Sequence, residues 1–333
     1  MPAKYIVGIG VGILIGGLGV FLFTPAHHHD MTTSVTTTAD TLTIKIPASH
    51  PMTPTMDGPE NPDAPNSHWF YSDVITLDAD TTITGFSIAM EGGDMSVLHH
   101  VSVNVLGRVP TICPRHFLLN GGAHELYSAS RHTLEPVVLP APYGIQLRAG
   151  EQLMIEFMAH PQADPHGAHH AHENLEPTLV VTLATDSSRT IPVDFMRLRL
   201  DDTPCAAPLP HQAFVVPTST AATTYTKTAD ENKNSSSYKF TADTTIILGG
   251  ANFWPEKGGQ NVQVLIDQEP IATYTAEPDS NASKWNIPLS GDRMKIKAGS
   301  TIEIASTYKN PFTVPVLDAS GMYGFYYTLP LTN

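Results

Sequence analysis

Thr41-Leu42-Thr43-Ile44-Lys45-Ile46 alternates polar and apolar residues throughout. Successive side chains of an extended strand point to opposite faces, so this stretch sends Leu42, Ile44 and Ile46 to one side. Short runs of strand character recur at 86–90, 97–106, 153–157, 179–183 and 195–200. A second series follows at 238–248, 262–266, 294–296, 301–305 and 323–329. Pro- and Gly-rich segments separate the runs, and no sustained 3.6-residue apolar stripe occurs after residue 30. The chain is therefore predicted to be all-β, a sandwich or jelly roll. The Gly-Gly pairs that begin at 92, 121, 249 and 258 read as turns.

A length of 333 residues suggests two domains beyond the N-terminal segment. The predicted organisation is a membrane segment at 1–26, a His/Thr-rich linker at 27–40, and β-sandwiches at 41–205 and 206–333. The Pro-, Ala- and Thr-rich stretch 204–219 marks the junction between the sandwiches.

Asp plus Glu outnumber Lys plus Arg by 32 to 18, a net charge of -14. No basic patch is available to neutralise phosphates, which excludes a nucleic-acid partner and a polybasic grip on anionic lipid. Tyr5 to Phe23 is uncharged and almost wholly apolar. As a helix rising about 1.5 Å per residue it just spans a bilayer core. Lys4 precedes it and acidic residues follow, which puts the bulk of the chain on the periplasmic or extracellular side. Gly8, Gly12 and Gly16 leave one helix face bare, fit for a homo-oligomer or another membrane protein, although glycine is also common in membrane helices. A signal peptide cleaved after Ala26 is the competing reading. Cleavage there would expose His27 as the mature N-terminus, whose amine and imidazole, with His28 and His29, would form a strong Cu(II) chelate. With the anchor retained, the three are an imidazole cluster near the membrane or a solvated linker. Cys113 and Cys205 either close one disulfide across a long loop or remain two separate buried thiols.

All 16 histidines lie at or before His211, so imidazole-based metal chemistry must use the first half of the chain. Val97-Leu98-His99-His100-Val101 sets two imidazoles in a β-type run, and Phe157-Met158-Ala159-His160 ends another with a third. Three neutral imidazoles suit copper or zinc. Neighbours on a regular strand face opposite ways, so both vicinal histidines reach one ion only if the strand is bulged or ends there. Otherwise one is a packed core imidazole and the other is exposed. His166, His169, His170 and His172, with Asp164 and Glu173, form a second cluster in ten residues, either a further copper or zinc site or a weakly chelating loop. Met52, Met56, Met90 and Met95 are soft donors whose ordinary role is packing. His50, His68, His116, His124, His132 and His211 carry no spacing signal and read as surface or hydrogen-bonded residues.

The chain resembles the copper type II, ascorbate-dependent monooxygenases, the family of peptidylglycine α-hydroxylating and dopamine β-monooxygenases. The residues that carry the resemblance begin at Ile44-Lys45-Ile46-Pro47 and Met52-Thr53-Pro54. They continue through Trp69-Phe70-Tyr71-Ser72, Ile83-Thr84-Gly85-Phe86, the His99-His100 segment and Leu126-Tyr127-Ser128 to Phe157-Met158-Ala159-His160. The resemblance implies a pair of jelly-roll-like sandwiches, with the electron-transfer copper held by His99, His100 and His160. The family's second copper, which activates oxygen, is held by a His-x-His pair and a later Met. The corresponding stretch here, Ile246-Ile247-Leu248-Gly249-Gly250-Ala251-Asn252, contains no histidine, and only Met322 survives from that set. The expected function is a membrane-anchored, extracytoplasmic copper-binding protein with one three-histidine site, serving electron transfer or a membrane copper enzyme. The alternatives are a divergent monooxygenase with a non-standard second metal, and a structural surface protein with a vestigial site.

Overall fold

The computed structural model describes residues 33–47, 69–92, 95, 98–108, 122–130, 136–159, 178–199, 214–216, 218, 223–227, 238–240, 242–252, 258–275, 294–310, 316–319 and 322–329. The predicted membrane segment, the 27–40 linker up to residue 32, both cysteines and the boundary at 205–206 lie outside them. Among the described residues no helix is long and apolar enough to cross a membrane.

The described residues are strands and their connections, without an α-helix. The first half contributes β1 (Ser34–Thr37), β2 (Thr41–Pro47), β3 (Trp69–Thr76), β4 (Thr81–Glu91), β5 (Leu98–Leu106) and β6 (Ala123–Ser130). It continues with β7 (Val137–Val138), β8 (Tyr143–Leu147), β9 (Gln152–Ala159), β10 (Thr178–Thr185) and β11 (Ile191–Arg199). The second half contributes β12 (Phe214–Val216), β13 (Thr223–Lys227), β14 (Tyr238–Lys239), β15 (Thr244–Asn252) and β16 (Gly259–Ile266). It closes with β17 (Glu269–Thr275), β18 (Met294–Ile296), β19 (Thr301–Tyr308), β20 (Val316–Ala319) and β21 (Met322–Thr328).

The opening stretch behaves as its alternation demands. In β2, Leu42, Ile44 and Ile46 are buried while Thr41, Thr43 and Lys45 are half-exposed. Each such buried aliphatic contributes about 1.5–3 kcal/mol, so a one-residue slip of register is strongly disfavoured. A long sheet runs β1-β2-β10-β4-β8-β11-β21-β15-β18, and a four-stranded sheet runs β3-β9-β5-β6. The first core contains side chains from both sheets: Ile44, Phe86, Val181 and Phe195 from the long sheet, Val101, Val103, Ile155 and Phe157 from the short one. A third sheet, β13-β19-β16-β17, packs Val262, Val264, Ile302 and Ile304 into a second core.

The two halves share β11, β21 and β15 as a common wall. β11 pairs with β21 from Val193↔Thr328 to Arg199↔Met322, and β21 pairs onward with β15. Val193 and Phe195 belong to the first core, Met196 and Leu198 to the second. Tyr326 belongs to the first, while Tyr323, Phe325 and Tyr327 belong to the second. Strands buried on both faces lose the polar half of their alternation, and Phe325-Tyr326-Tyr327 is the result. Tyr326 enters the first core, where its hydroxyl donates to Leu126 O at 3.1 Å.

Gly249 and Gly250, expected in a turn, lie inside β15. The reason is steric. A Cβ on Gly249 would overlap the Tyr323 hydroxyl and come 2.8 Å from its Cε2. The glycine makes room for an aromatic side chain from the neighbouring strand, a close approach rather than a reversal of the chain.

Candidate metal centre

β5 is an inner strand, bonded to β9 on one side and β6 on the other. From Val101 onward it alternates regularly, with Val101, Val103 and Val105 fully buried in the first core. Leu98 is also fully buried in that core, three residues from Val101 rather than two or four. The register accounts for this break in parity. Leu98 pairs with Ala159 and His100 with Met158, so β5 advances two residues while β9 advances one. His99 is the extra residue of a β-bulge, the one place in β5 where strict alternation is suspended against β9 before the strand settles.

Strand ends meet here. Trp69 opens β3, Leu98 opens β5, and Ala159, registered with both, closes β9 one residue before His160. The His99 backbone belongs to β5, and His100 is half-buried. His160 lies outside the described residues, as do His27 to His29, His166, His169, His170 and His172, and His50, His68, His116, His132 and His211. Met52 and Met56 are outside them too, while Met90 and Met95 pack against the first core. Among the described residues no group of three or more His, Cys, Asp or Glu side chains converges to hold an ion.

The face of the short sheet turned away from the first core is organised in rows. Met158 and His100 are in register across it, and the next row is Ser72, Glu156, Ser102 and Ser128. A third holds Val74, Met154, Asn104 and Glu125. Glu156 Oε2 accepts from Asn104 Nδ2 at 3.1 Å and from Ser102 Oγ at 3.4 Å. Glu125, buried, forms an ion pair with Arg197 at 3.0 Å, and Arg197 also donates to Ser128 Oγ at 3.3 Å. Burial raises the Glu156 carboxyl above its ordinary pKa and Glu125 adds to the rise, against the bonds from Ser102 and Asn104. A carboxyl raised in the folded state stabilises the fold below its unfolded pKa, and that contribution is lost as pH rises through the higher folded value. Glu156→Gln is thus expected to increase stability at pH 7 relative to the parent and to lose the advantage by pH 4. Parallel denaturation curves at the two pH values measure this.

The region that resemblance assigns to a second copper is filled. Ile246, Ala251, Tyr323 and Phe325 are fully buried in the second core, and the Tyr323 ring lies 5.8 Å from that of Tyr274. Met322 pairs in register with Asn252 and Arg199.

His124 is a residue whose setting the sequence did not disclose. It is buried, with Nε2 at 2.5 Å from Asp194 Oδ1, a partner 70 positions away. The same carboxylate accepts from Phe195 N at 2.9 Å and from the Tyr327 hydroxyl at 3.3 Å.

No family model matches the chain, and no curated protein matches it. Among solved structures, the major capsid protein of bacteriophage PM2 is similar at 10% identity and a TM-score of 0.33, covering 80% of this chain and 99% of its own. Peptide:N-glycanase F is similar at 9% identity and a TM-score of 0.34, covering 87% of this chain and 96% of its own.

Proposed function

We propose that this chain is a membrane-anchored, extracytoplasmic copper protein with one site formed by His99, His100 and His160, acting in electron transfer or beside a membrane copper enzyme. The observation that carries the reading is the bulge at His99. Two adjacent histidines on a regular strand cannot share an ion, and the strand is irregular at that residue, one register step from the end of β9 that leads into His160. Three imidazoles match copper's preference for nitrogen donors, and the metal would supply one-electron redox chemistry. Two jelly-roll-like sandwiches of the copper type II monooxygenase kind are the corresponding fold proposal, supported by the two cores on either side of the shared strands. The aromatic filling beside Gly249 favours a single-copper protein over a two-copper hydroxylase, since the resemblance has no histidine to offer there.

The test is metal analysis and EPR on the purified full chain in detergent. One copper per chain with an axial Cu(II) signal is expected, lost in His99→Ala, His100→Ala and His160→Ala. Two coppers per chain with ascorbate-driven consumption of dioxygen would instead establish the hydroxylase. A chain that binds no copper would overturn the proposal.

A further inference from the structure

We propose that two copies of this chain join edge to edge through β1, continuing the long sheet across a two-fold axis at Thr36. The two sheets around the first core have two lateral sides. On one, β6 of the short sheet is tied to β11 of the long sheet by the His124–Asp194 and Glu125–Arg197 pairs, which closes that side. On the other, the sheets end in β1 and β3, and Thr33 Oγ1 donates to Asp73 Oδ2 between them. This side carries two exposed valines, Val35 at 47% and Val74 at 43%. All of β1 is exposed, and among the described residues its one sheet neighbour is β2.

An edge strand offers a row of unpaired backbone groups, which proteins commonly guard with a charge or a proline. β3 is guarded, because the Asp73 carboxylate accepts from Val74 N at 2.7 Å. β18, at the far end of the long sheet, exposes Lys295. β1 reads Ser-Val-Thr-Thr and has neither guard. Its open groups follow from the hairpin. Thr38 N donates to Thr41 O at 2.8 Å, so by alternation Thr36 and Ser34 bond to β2, while Val35 and Thr37 turn N–H and C=O outward. Val35 also ends an apolar row. It is in register with Ile44, Val181 and Ile88, all members of the first core.

A second copy fits this edge on three counts. Antiparallel pairing about Thr36 sets Val35 opposite the partner's Thr37 and Thr37 opposite the partner's Val35, so the outward groups exchange four hydrogen bonds. The side chains that meet are Val with Thr on one face and Thr with Thr on the other, pairs that antiparallel strands favour. Chains of net charge -14 repel one another, and β1 lets them meet where neither is charged. An isologous contact of this kind closes at two copies and does not grow into a fibre.

The test is disulfide trapping of the full chain in detergent. Opposed residues of a non-hydrogen-bonded pair lie about 4.5 Å apart at Cα, within reach of a disulfide. Thr36→Cys is expected to give a disulfide-linked dimer on mild oxidation, well above the level of the parent and of Ser34→Cys, which lies off the axis. Thr37→Pro removes an outward N–H and none that bonds β2, so it deletes two of the four bonds. It is expected to weaken dimerisation in sedimentation roughly tenfold or more, with an unchanged melting temperature at dilutions where the chain is monomeric. Val35→Lys, which sets like charges across the axis, is expected to do the same. Absence of trapping at Thr36→Cys, or trapping indifferent to Thr37→Pro and Val35→Lys, overturns the proposal. A dimer kept in Thr37→Pro and lost in Gly12→Leu also overturns it, and moves the contact to the N-terminal segment.

Discussion

Asp194→Ala is expected to lower the unfolding free energy by about 1–3 kcal/mol, the cost of leaving a buried donor without its acceptor. Asp194 is 5% exposed and His124 3%, so water does not replace the lost acceptor. Asp194 accepts from the His124 ring, from the Phe195 amide and from the Tyr327 hydroxyl. Its removal takes the acceptor from the buried His124 ring, at a cost of about 1–3 kcal/mol before relaxation, and takes one bond each from the Phe195 amide and the Tyr327 hydroxyl. These donors come from β6, β11 and β21, so the damage reaches the short sheet and the shared wall together. Asp194→Asn keeps an acceptor oxygen and is expected to lose less. His124→Phe, which removes one donor and fills the space with apolar surface, should recover part of the loss when combined with Asp194→Ala. A double-mutant cycle by chemical denaturation of the full chain measures the coupling. Equal stability of Asp194→Ala and the parent would show that the carboxylate is not integral to the junction.

Gly249→Ala is the second large effect, expected to cost at least about 2–3 kcal/mol, the upper part of the range for forcing a methyl group into a filled core. The new Cβ would meet the Tyr323 hydroxyl and ring, and Tyr323 is fully buried beside Phe325, 5.5 Å away, and Tyr274. The ring cannot withdraw without displacing those neighbours. Tyr323→Phe should restore only part of the stability, because ring carbons as well as the hydroxyl lie within reach of the added methyl. Gly107→Ala is a contrasting case: nothing lies within 4 Å of its Cβ position, and the strain there comes from a φ of +75°. Thermal unfolding of the variants separates the two kinds of glycine.

Strands that alternate or carry β-branched residues were legible directly. β2, β10 and β18 lie where the pattern indicated, within a residue or two at their ends. β6, Ala-His-Glu-Leu-Tyr-Ser-Ala-Ser, has no β-branched residue and was not anticipated as a strand. Its conformation comes from pairing with β5 and from the Tyr326 hydroxyl that reaches Leu126 O, contacts that no local propensity encodes. The predicted run 238–248 is divided into β14, on the third sheet, and the start of β15, on the shared wall, because neighbouring residues were claimed by different cores.

The histidine pair follows the same division. Residue type and order alone identified His99 and His100 as candidate ligands and stated the condition they must meet, a break in the strand. Whether the strand breaks is a property of its partner: the bulge exists because Leu98 and Val101 both enter one core while β9 runs on beside them. The β class, the confinement of imidazoles to one half and the donor chemistry on offer were all readable from residue order. That β11, β21 and β15 serve two cores, that Met158 stands opposite His100 and that His124 meets Asp194 emerge from long-range pairing. Side-chain period and donor chemistry are local, whereas register, sharing of a wall and the partners of buried charges depend on residues far apart in the chain.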